Sequence, residues 1–391
     1  MNIKYCDKLN TLPPYLFVEL DKQKRKAKAD GKDVIDLGIG DPDKLTPRFI
    51  IDVMKKAIEE VSYNRYPLDA GLSEFRVAIS NWYKKRFNVK LDPDTEILPL
   101  IGSKEGIAHL PFAFLNPGDC ALVPDPSYPP YRNCTILAGG KPIVMPLLES
   151  NNFLPDLKAI NQNDLKNTKI IFLNYPNNPT AAVANKTFFR DAVDFASMHN
   201  IIVCHDAAYS ELYYSETHRP SSFLEIEGAK DVGIEFHSLS KTFNMTGWRI
   251  GFACGNSEII KGLLKFKSNV DSGVFMAVQK AAAIALLKGE KESEKIRNLY
   301  KTRRDTLVGS LRKAGVSVKF PEATFYVWLR IPKSFKSSID FAKKVLEAKA
   351  VVVTPGVGFG SYGEGFFRIA LTVEKDRLIE AAKRIAELFN L

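Results

Sequence analysis

A chain of 391 residues with 45% apolar and 26% charged residues is long enough for a large core plus a smaller one and shows no compositional sign of disorder. Its formal charge of +10 raises nucleic acid as a partner. However, the basic clusters Lys22 to Lys32 and Lys288 to Arg304 are interleaved with Asp21, Asp30, Asp33, Glu290, Glu292 and Glu294, and no zinc-finger, RNP or basic-zipper pattern accompanies them, so no nucleic-acid partner is expected. The five cysteines, Cys6, Cys120, Cys134, Cys204 and Cys254, are odd in number and widely spaced, which fits reduced thiols and neither a disulfide framework nor a metal site. Met1 to Asp7 has no apolar core of the signal-peptide kind and no run reaches bilayer length, so a cytoplasmic protein with no membrane contact is expected.

In chain order, Leu12-Pro13-Pro14-Tyr15-Leu16-Phe17 is apolar and proline-stiffened, suited to an arm lying on another surface. A helix follows from Phe17 to about Ala29. Val34 to Asp43 reads as a short strand breaking into a loop with Gly38 and Gly40, where a ligand can approach the backbone closely. A helix capped by Thr46 starts at Thr46-Pro47. After the turn Asn64 to Leu72, a further helix runs from Ser73 to Phe87. Ile97 to Ala108 is a strand, a glycine turn and a helix, and the free N–H groups opening such a helix can take phosphate.

The strand Cys120 to Val123 ends in Asp125-Pro126-Ser127-Tyr128-Pro129-Pro130-Tyr131. An aromatic held between prolines is a rigid plate on which a ring can stack, and Tyr131 reads as a buried turn tyrosine. The strand Lys169 to Leu173 runs into Asn174-Tyr175-Pro176-Asn177-Asn178-Pro179-Thr180, a polar turn where open α/β sheets place ligands. The strand Ile201 to His205 then delivers Asp206-Ala207-Ala208-Tyr209. A carboxylate leaving an apolar strand is costly to bury unless a cation meets it, and His205 reads as a strand-end histidine. A long helical region is expected from Phe275 to Ala314. Strands are expected near Val316–Phe320, Phe325–Leu329, Val351–Val353 and Phe366–Leu371, with helices at Ser338–Ala348 and Lys375–Phe389. Gly356 to Gly360 is a loop, since no helix follows it. Arg368, alone in an apolar strand, calls for a carboxylate on its planar fork.

The organising residue is Lys241, in His237-Ser238-Leu239-Ser240-Lys241 followed by Gly247-Trp248-Arg249-Ile250-Gly251. A lysine attacks a carbonyl only as the free amine, so it needs desolvation or cationic neighbours. Arg249 can supply the charge, while Ser238 and Ser240 can donate to phosphate oxygens.

Ser-x-Ser-Lys with Gly-Trp-Arg-Ile-Gly resembles the cofactor-lysine segment of the class I/II aminotransferases, pyridoxal 5'-phosphate (PLP) enzymes of fold type I. The resemblance implies an α/β fold with a mostly parallel central sheet flanked by helices. It also implies a large domain over 46–284, the arm and part of a small domain over 1–45, and the rest of that domain over 285–391. By resemblance, Lys241 bonds covalently to PLP and moves the substrate proton, Asp206 keeps the pyridine nitrogen protonated, and Tyr209 and Asn178 contact the phenolic oxygen. Tyr128 stacks on the ring, and Ser103, Lys104, Ser238, Ser240 and Arg249 take the phosphate. Gly40, Asn178 and Arg368 receive the substrate α-carboxylate. Tyr66 reaches the phosphate of a neighbouring subunit, which implies a homodimer with shared active sites.

Three runs, Leu100 to His109, Asn174 to Thr180 and Asn244 to Arg249, look most similar to the LL-diaminopimelate aminotransferases of lysine biosynthesis. Asp69 would then face the distal ammonium. An aspartate-, alanine- or aromatic-type aminotransferase stands as the alternative, with a PLP-dependent lyase or synthase behind it. The family continues Asn-Pro-Thr with glycine, whereas this chain has Ala181. Alanine avoids positive φ, so either that position is not left-handed or the loop is displaced.

Overall fold

The computed structural model describes residues 1, 3–12 and 16–389; the proline-stiffened centre of the expected arm, residues 13–15, lies outside them. Among the described residues, twelve strands occur in chain order: β1 (Ile35–Asp36), β2 (Ile97–Leu100), β3 (Cys120–Asp125), β4 (Lys141–Pro146), β5 (Thr168–Asn174), β6 (Ile202–Asp206), β7 (Gly233–Ser238), β8 (Gly251–Gly255), β9 (Tyr326–Arg330), β10 (Val351–Val352), β11 (Thr354–Pro355) and β12 (Phe366–Ala370). Seven of them form the main sheet in the order β2-β8-β7-β6-β5-β3-β4. Its pairings are parallel except along β8, which runs antiparallel to both β2 and β7.

The central strands are apolar on both faces because helices cover both. In β5 the side chains alternate: Ile170 and Phe172 enter one core with Ile107 and Phe236, while Ile171 and Leu173 enter the other with Phe75 and Phe189. The helices Arg48–Ala57, Ser73–Phe87 and Met276–Lys288 pack together, and Ser103–Phe114 packs with Pro130–Leu137 and Ser257–Lys267. β3, β5, β6 and β7 end at Asp125, Asn174, Asp206 and Ser238. Polar side chains thus gather where parallel strands of an open sheet present ligand-binding groups.

A second core holds Phe325, Val327, Phe341, Phe367, Ile369 and Leu378. It is built on the antiparallel sheet β11-β12-β9 and the parallel pair β1-β10, with helices Glu290–Lys313, Ser338–Lys349 and Lys375–Ala386. β1 comes from near the N-terminus and pairs Ile35 with Val351, so both ends of the chain enter this core.

Three expectations are corrected. The helical region from Phe275 to Ala314 is two helices, Met276–Lys288 and Glu290–Lys313, broken at Gly289. Val316–Phe320 forms no strand; Val316 and Val318 are buried in alternation, but the Val318 carbonyl accepts from Arg312 Nε and Nη2 at 2.9 and 2.7 Å, which removes an acceptor a ladder would use. Thr46 caps no helix: its hydroxyl donates to the Asn244 carbonyl at 2.8 Å, and the helix starts after Pro47. No helix among the described residues is long and apolar enough to cross a membrane.

Candidate active site

A cavity of about 460 Å³ opens at the ends of β5, β6 and β7, between the main sheet and the second core. Its wall carries Gly40, Ser103, Lys104, Tyr128, Asn178, Asp206, Tyr209, Ser238, Ser240, Lys241, Arg249 and Arg368, twelve positions singled out in the sequence. Tyr66 and Asp69 do not line it. Tyr66, 91% exposed, lies between two helices on the outer surface.

The tight turn after β7 presents Lys241, with Ser238 capping it by accepting the Ser240 N–H. Lys241 Nζ donates to the Gly40 carbonyl at 2.9 Å. Burial pushes its ammonium down to about 8, with the positive Arg249 and Arg368 acting in the same direction and the Asp41 carboxylate against it. A lysine so placed offers far more free amine near neutrality than a solvated one.

Asp206 ends β6 and is buried. It accepts from the Tyr131 hydroxyl at 2.7 Å and from the Ala208 N–H at 3.2 Å. Burial raises its pKa and those two donors oppose the rise. Among the described residues no lysine or arginine forms an ion pair with it, which leaves this buried acid able to meet a cation on a ligand.

Arg368, 4% exposed, donates from Nη1 to Asn178 Oδ1 at 2.7 Å and from Nη2 to the Gly38 carbonyl at 2.9 Å. Its Nε is buried without a partner. Among the described residues no carboxylate pairs with it, so a packed salt bridge inside the protein does not explain this arginine. A ligand carboxylate would complete the fork.

The opposite end suits an anion. Ser103 and Lys104 open the helix Ser103–Phe114 after Gly102, which has φ 78°, and line the cavity together with Ser238, Ser240 and Arg249, so the positive helix end adds to the donors that an anion can use. Arg249 folds across Gly102 so closely that a β-carbon there would lie 2.4 Å from Nη2.

Sequence reading missed several groups. Tyr131, taken as a turn tyrosine, supports Asp206. His205 is more than a strand-end histidine: Nδ1 lies 2.8 Å from Glu235 Oε2 and Nε2 lies 3.1 Å from the Tyr175 carbonyl, within a buried cluster that also holds His237 and Tyr83. Tyr326, Phe359 and Asp41 also line the cavity. Asp41 belongs to the Gly38 to Asp43 loop, in which the sequence reading gives it no role; no local motif marks Tyr326 or Phe359, which tertiary folding brings to the wall. Lys267, at the end of the helix Ser257–Lys267, is buried and bound to Glu105 and Asp271 at 2.9 and 2.5 Å. Ala181 is left-handed, with φ 60°, so the first expected alternative fails: the residue adopts the glycine-like backbone despite its β-carbon. Its N–H is bonded to the Asn177 carbonyl at 2.9 Å.

Residues 32–385 match the family model for aminotransferase class I and II. The chain belongs to the class I and II aminotransferases. This aminotransferase is 54% identical over 385 residues to the LL-diaminopimelate aminotransferase of Nitratidesulfovibrio vulgaris, covering 98% of this chain and 99% of that one. It is 52% identical to the protein of that name from Aquifex aeolicus, over 98% and 99% of the two chains. Substrate-bound BacF from Bacillus subtilis superimposes with a TM-score of 0.95 at 39% identity, over 100% of this chain and 98% of that one. The enzyme therefore has the fold-type I architecture of a PLP-dependent transaminase family.

Proposed function

We propose that this aminotransferase binds PLP in the cavity and moves the amino group of LL-diaminopimelate to 2-oxoglutarate, as a cytoplasmic homodimer serving lysine biosynthesis. The reading is carried by one juxtaposition: a buried lysine amine, a buried carboxylate without a protein cation and an arginine fork without a protein carboxylate share one cavity. The names of relatives at 52–54% identity over nearly the whole chain narrow the substrate. PLP fits this donor set, and when bound it supplies an aldehyde for covalent capture of the amino group and a ring that accepts electrons.

The protein's own groups divide the remaining work. Lys241 Nζ would be the amine that holds the aldehyde, and the same amine would move the proton at the substrate Cα. Asp206, supported by Tyr131, would hold the ring nitrogen, Tyr209 and Asn178 would contact the phenolic oxygen, and Tyr128 would cover the ring face. Ser103, Lys104, Ser238, Ser240 and Arg249 grip the phosphate, and Arg368, Asn178 and Gly40 hold the α-carboxylate. Tyr66 and Asp69 act in the neighbouring subunit's site, Asp69 toward a distal ammonium. The domain division is placed at about residues 45 and 285, with Tyr209, Leu212 and Tyr214 of the central span also entering the second core.

The test incubates the purified enzyme with PLP, 2-oxoglutarate and either LL-diaminopimelate or aspartate. Glutamate forming faster from LL-diaminopimelate supports the assignment. Glutamate from aspartate alone would shift it to the aspartate type, and consumption of the amino acid without any glutamate would make the enzyme a lyase or synthase.

A further inference from the structure

We propose that Tyr326 is a positioning residue joining the carboxylate anchor to the cofactor-facing hydroxyl: its ring orients the Arg368 fork, and its own hydroxyl fixes Tyr209 beside Gly40. The inference rests on the site assignment above and extends it to a residue that no motif marks. Tyr326 opens β9, directly opposite Ala370 of β12, two residues beyond Arg368. It is 3% exposed and still lines the cavity.

Three contacts converge on this side chain. The Arg368 guanidinium carbon sits 4.1 Å from the Tyr326 ring centroid and 4.6 Å from that of Phe359. With Nη1 and Nη2 held by Asn178 and Gly38, the two rings leave the cation little rotational freedom. A planar fork so restrained loses little entropy when a carboxylate arrives. The Tyr326 hydroxyl lies 2.9 Å from that of Tyr209. It also explains a glycine: a β-carbon on Gly40 would come within 2.0 Å of this oxygen. Gly40 is therefore small because Tyr326 fills the space, and the Gly40 carbonyl is the one that receives Lys241 Nζ. One side chain thus touches the loop holding the lysine, the hydroxyl facing the phenolic oxygen and the arginine.

Ring and hydroxyl make separable predictions, read with Tyr326→Phe and Tyr326→Leu, using Arg368→Gln as a control. Calorimetry of succinate, an unreactive dicarboxylate, on the apoprotein reads the ring: Tyr326→Leu weakens binding about tenfold, whereas Tyr326→Phe stays within about twofold of the parent. The pH midpoint of cofactor absorbance reads the hydroxyl, and Tyr326→Phe displaces it by about half a unit or more as Tyr209 loses one hydrogen bond. In turnover, Tyr326→Leu raises KM for both amino acid and oxo acid, and phenylalanine restores KM without restoring the midpoint.

Succinate binding that Arg368→Gln abolishes and Tyr326→Leu leaves intact overturns the ring's role alone. An unmoved midpoint in Tyr326→Phe overturns the hydroxyl's role alone. If the parent binds succinate no better than Arg368→Gln and forms no coloured complex with PLP, the site assignment itself fails and takes this proposal with it.

Discussion

Lys241 carries a cost that its chemistry needs. Its ammonium is pushed from an ordinary 10.5 down to about 8 by burial, so between those values the unfolded chain binds more protons than the folded one and stability rises with pH. Below pH 8 the full penalty, on the order of 3 kcal/mol, weighs on the fold. Lys241→Met should therefore raise the melting temperature of the apoprotein at pH 7, with the gain fading as pH passes through 8 toward 10.5; a gain independent of pH would mean that the ammonium is not desolvated. Arg368 makes a different prediction. Lysine at 368 keeps the charge and loses the fork, so Arg368→Lys should raise KM for amino acid and oxo acid by about 30-fold or more, roughly 2 kcal/mol of carboxylate binding, with kcat changed far less. Initial-rate measurements in both directions separate these effects. These two residues were legible in the sequence because each carries a chemical demand by itself: an amine before a glycine-rich turn, a guanidinium in an apolar strand. Tyr131 and Tyr326 were not, since an aromatic in a turn or strand satisfies ordinary packing, and only the folded neighbours, Asp206 and Tyr209, reveal the hydroxyls' partners. Ala181 shows the reverse: the departure from glycine was visible, yet its outcome depended on how much strain the surrounding loop could hold.

At the scale of elements, the buried strands were readable because β3, β5 and β6 are short apolar runs ending in polar turns. Breaks and pairings were less so. Helix periodicity runs on through Gly289, but the backbone bends there, and a β-carbon would fall 2.3 Å from the Ala285 carbonyl oxygen and 2.5 Å from the Phe243 ring. Phe243 stands two residues after Lys241, so the helix break makes room for the lysine turn. Gly289→Ala should cost about 1–3 kcal/mol, measured as a lower denaturation midpoint, and it should slow cofactor capture by displacing Phe243; a variant as stable as the parent would mean that the break is not sterically required. The Gly356 to Gly360 stretch reads in the sequence as a loop with no helix after it, whereas Gly356–Phe359 and Ser361–Gly363 are each a short 3-10 helix; there Asp125 at the end of β3 accepts from the Ser361 and Tyr362 N–H groups at 3.0 and 2.9 Å. That clasp holds Phe359 at the cavity wall.

For the whole molecule, the N-terminal loop is the joint between the two cores. The Leu37 carbonyl accepts from the Ala370 N–H at 2.8 Å, that of Ile39 accepts from the Thr372 hydroxyl at 2.9 Å, and Asp43 receives both Arg303 Nη atoms at 2.6 and 2.7 Å. The loop is thus fastened to the second core before it reaches Lys241. On the outer surface of the same chain, Val61, Tyr66, Leu68, Val270 and Phe275 are exposed apolar side chains, Tyr66 being the residue expected to meet a neighbouring subunit. A cluster of this kind marks an interaction surface. If Tyr66 completes the neighbour's phosphate site, a Lys241→Ala subunit paired with a Tyr66→Ala subunit places both defects in the same site. A mixed dimer then carries one site with both defects and one with neither. Co-refolding the two variants should consequently yield more transaminase activity than the sum of the separate preparations, in proportion to the mixed dimer recovered by size-exclusion chromatography. Activity equal to that sum would place Tyr66 outside the neighbouring site and leave each subunit with a complete cavity of its own.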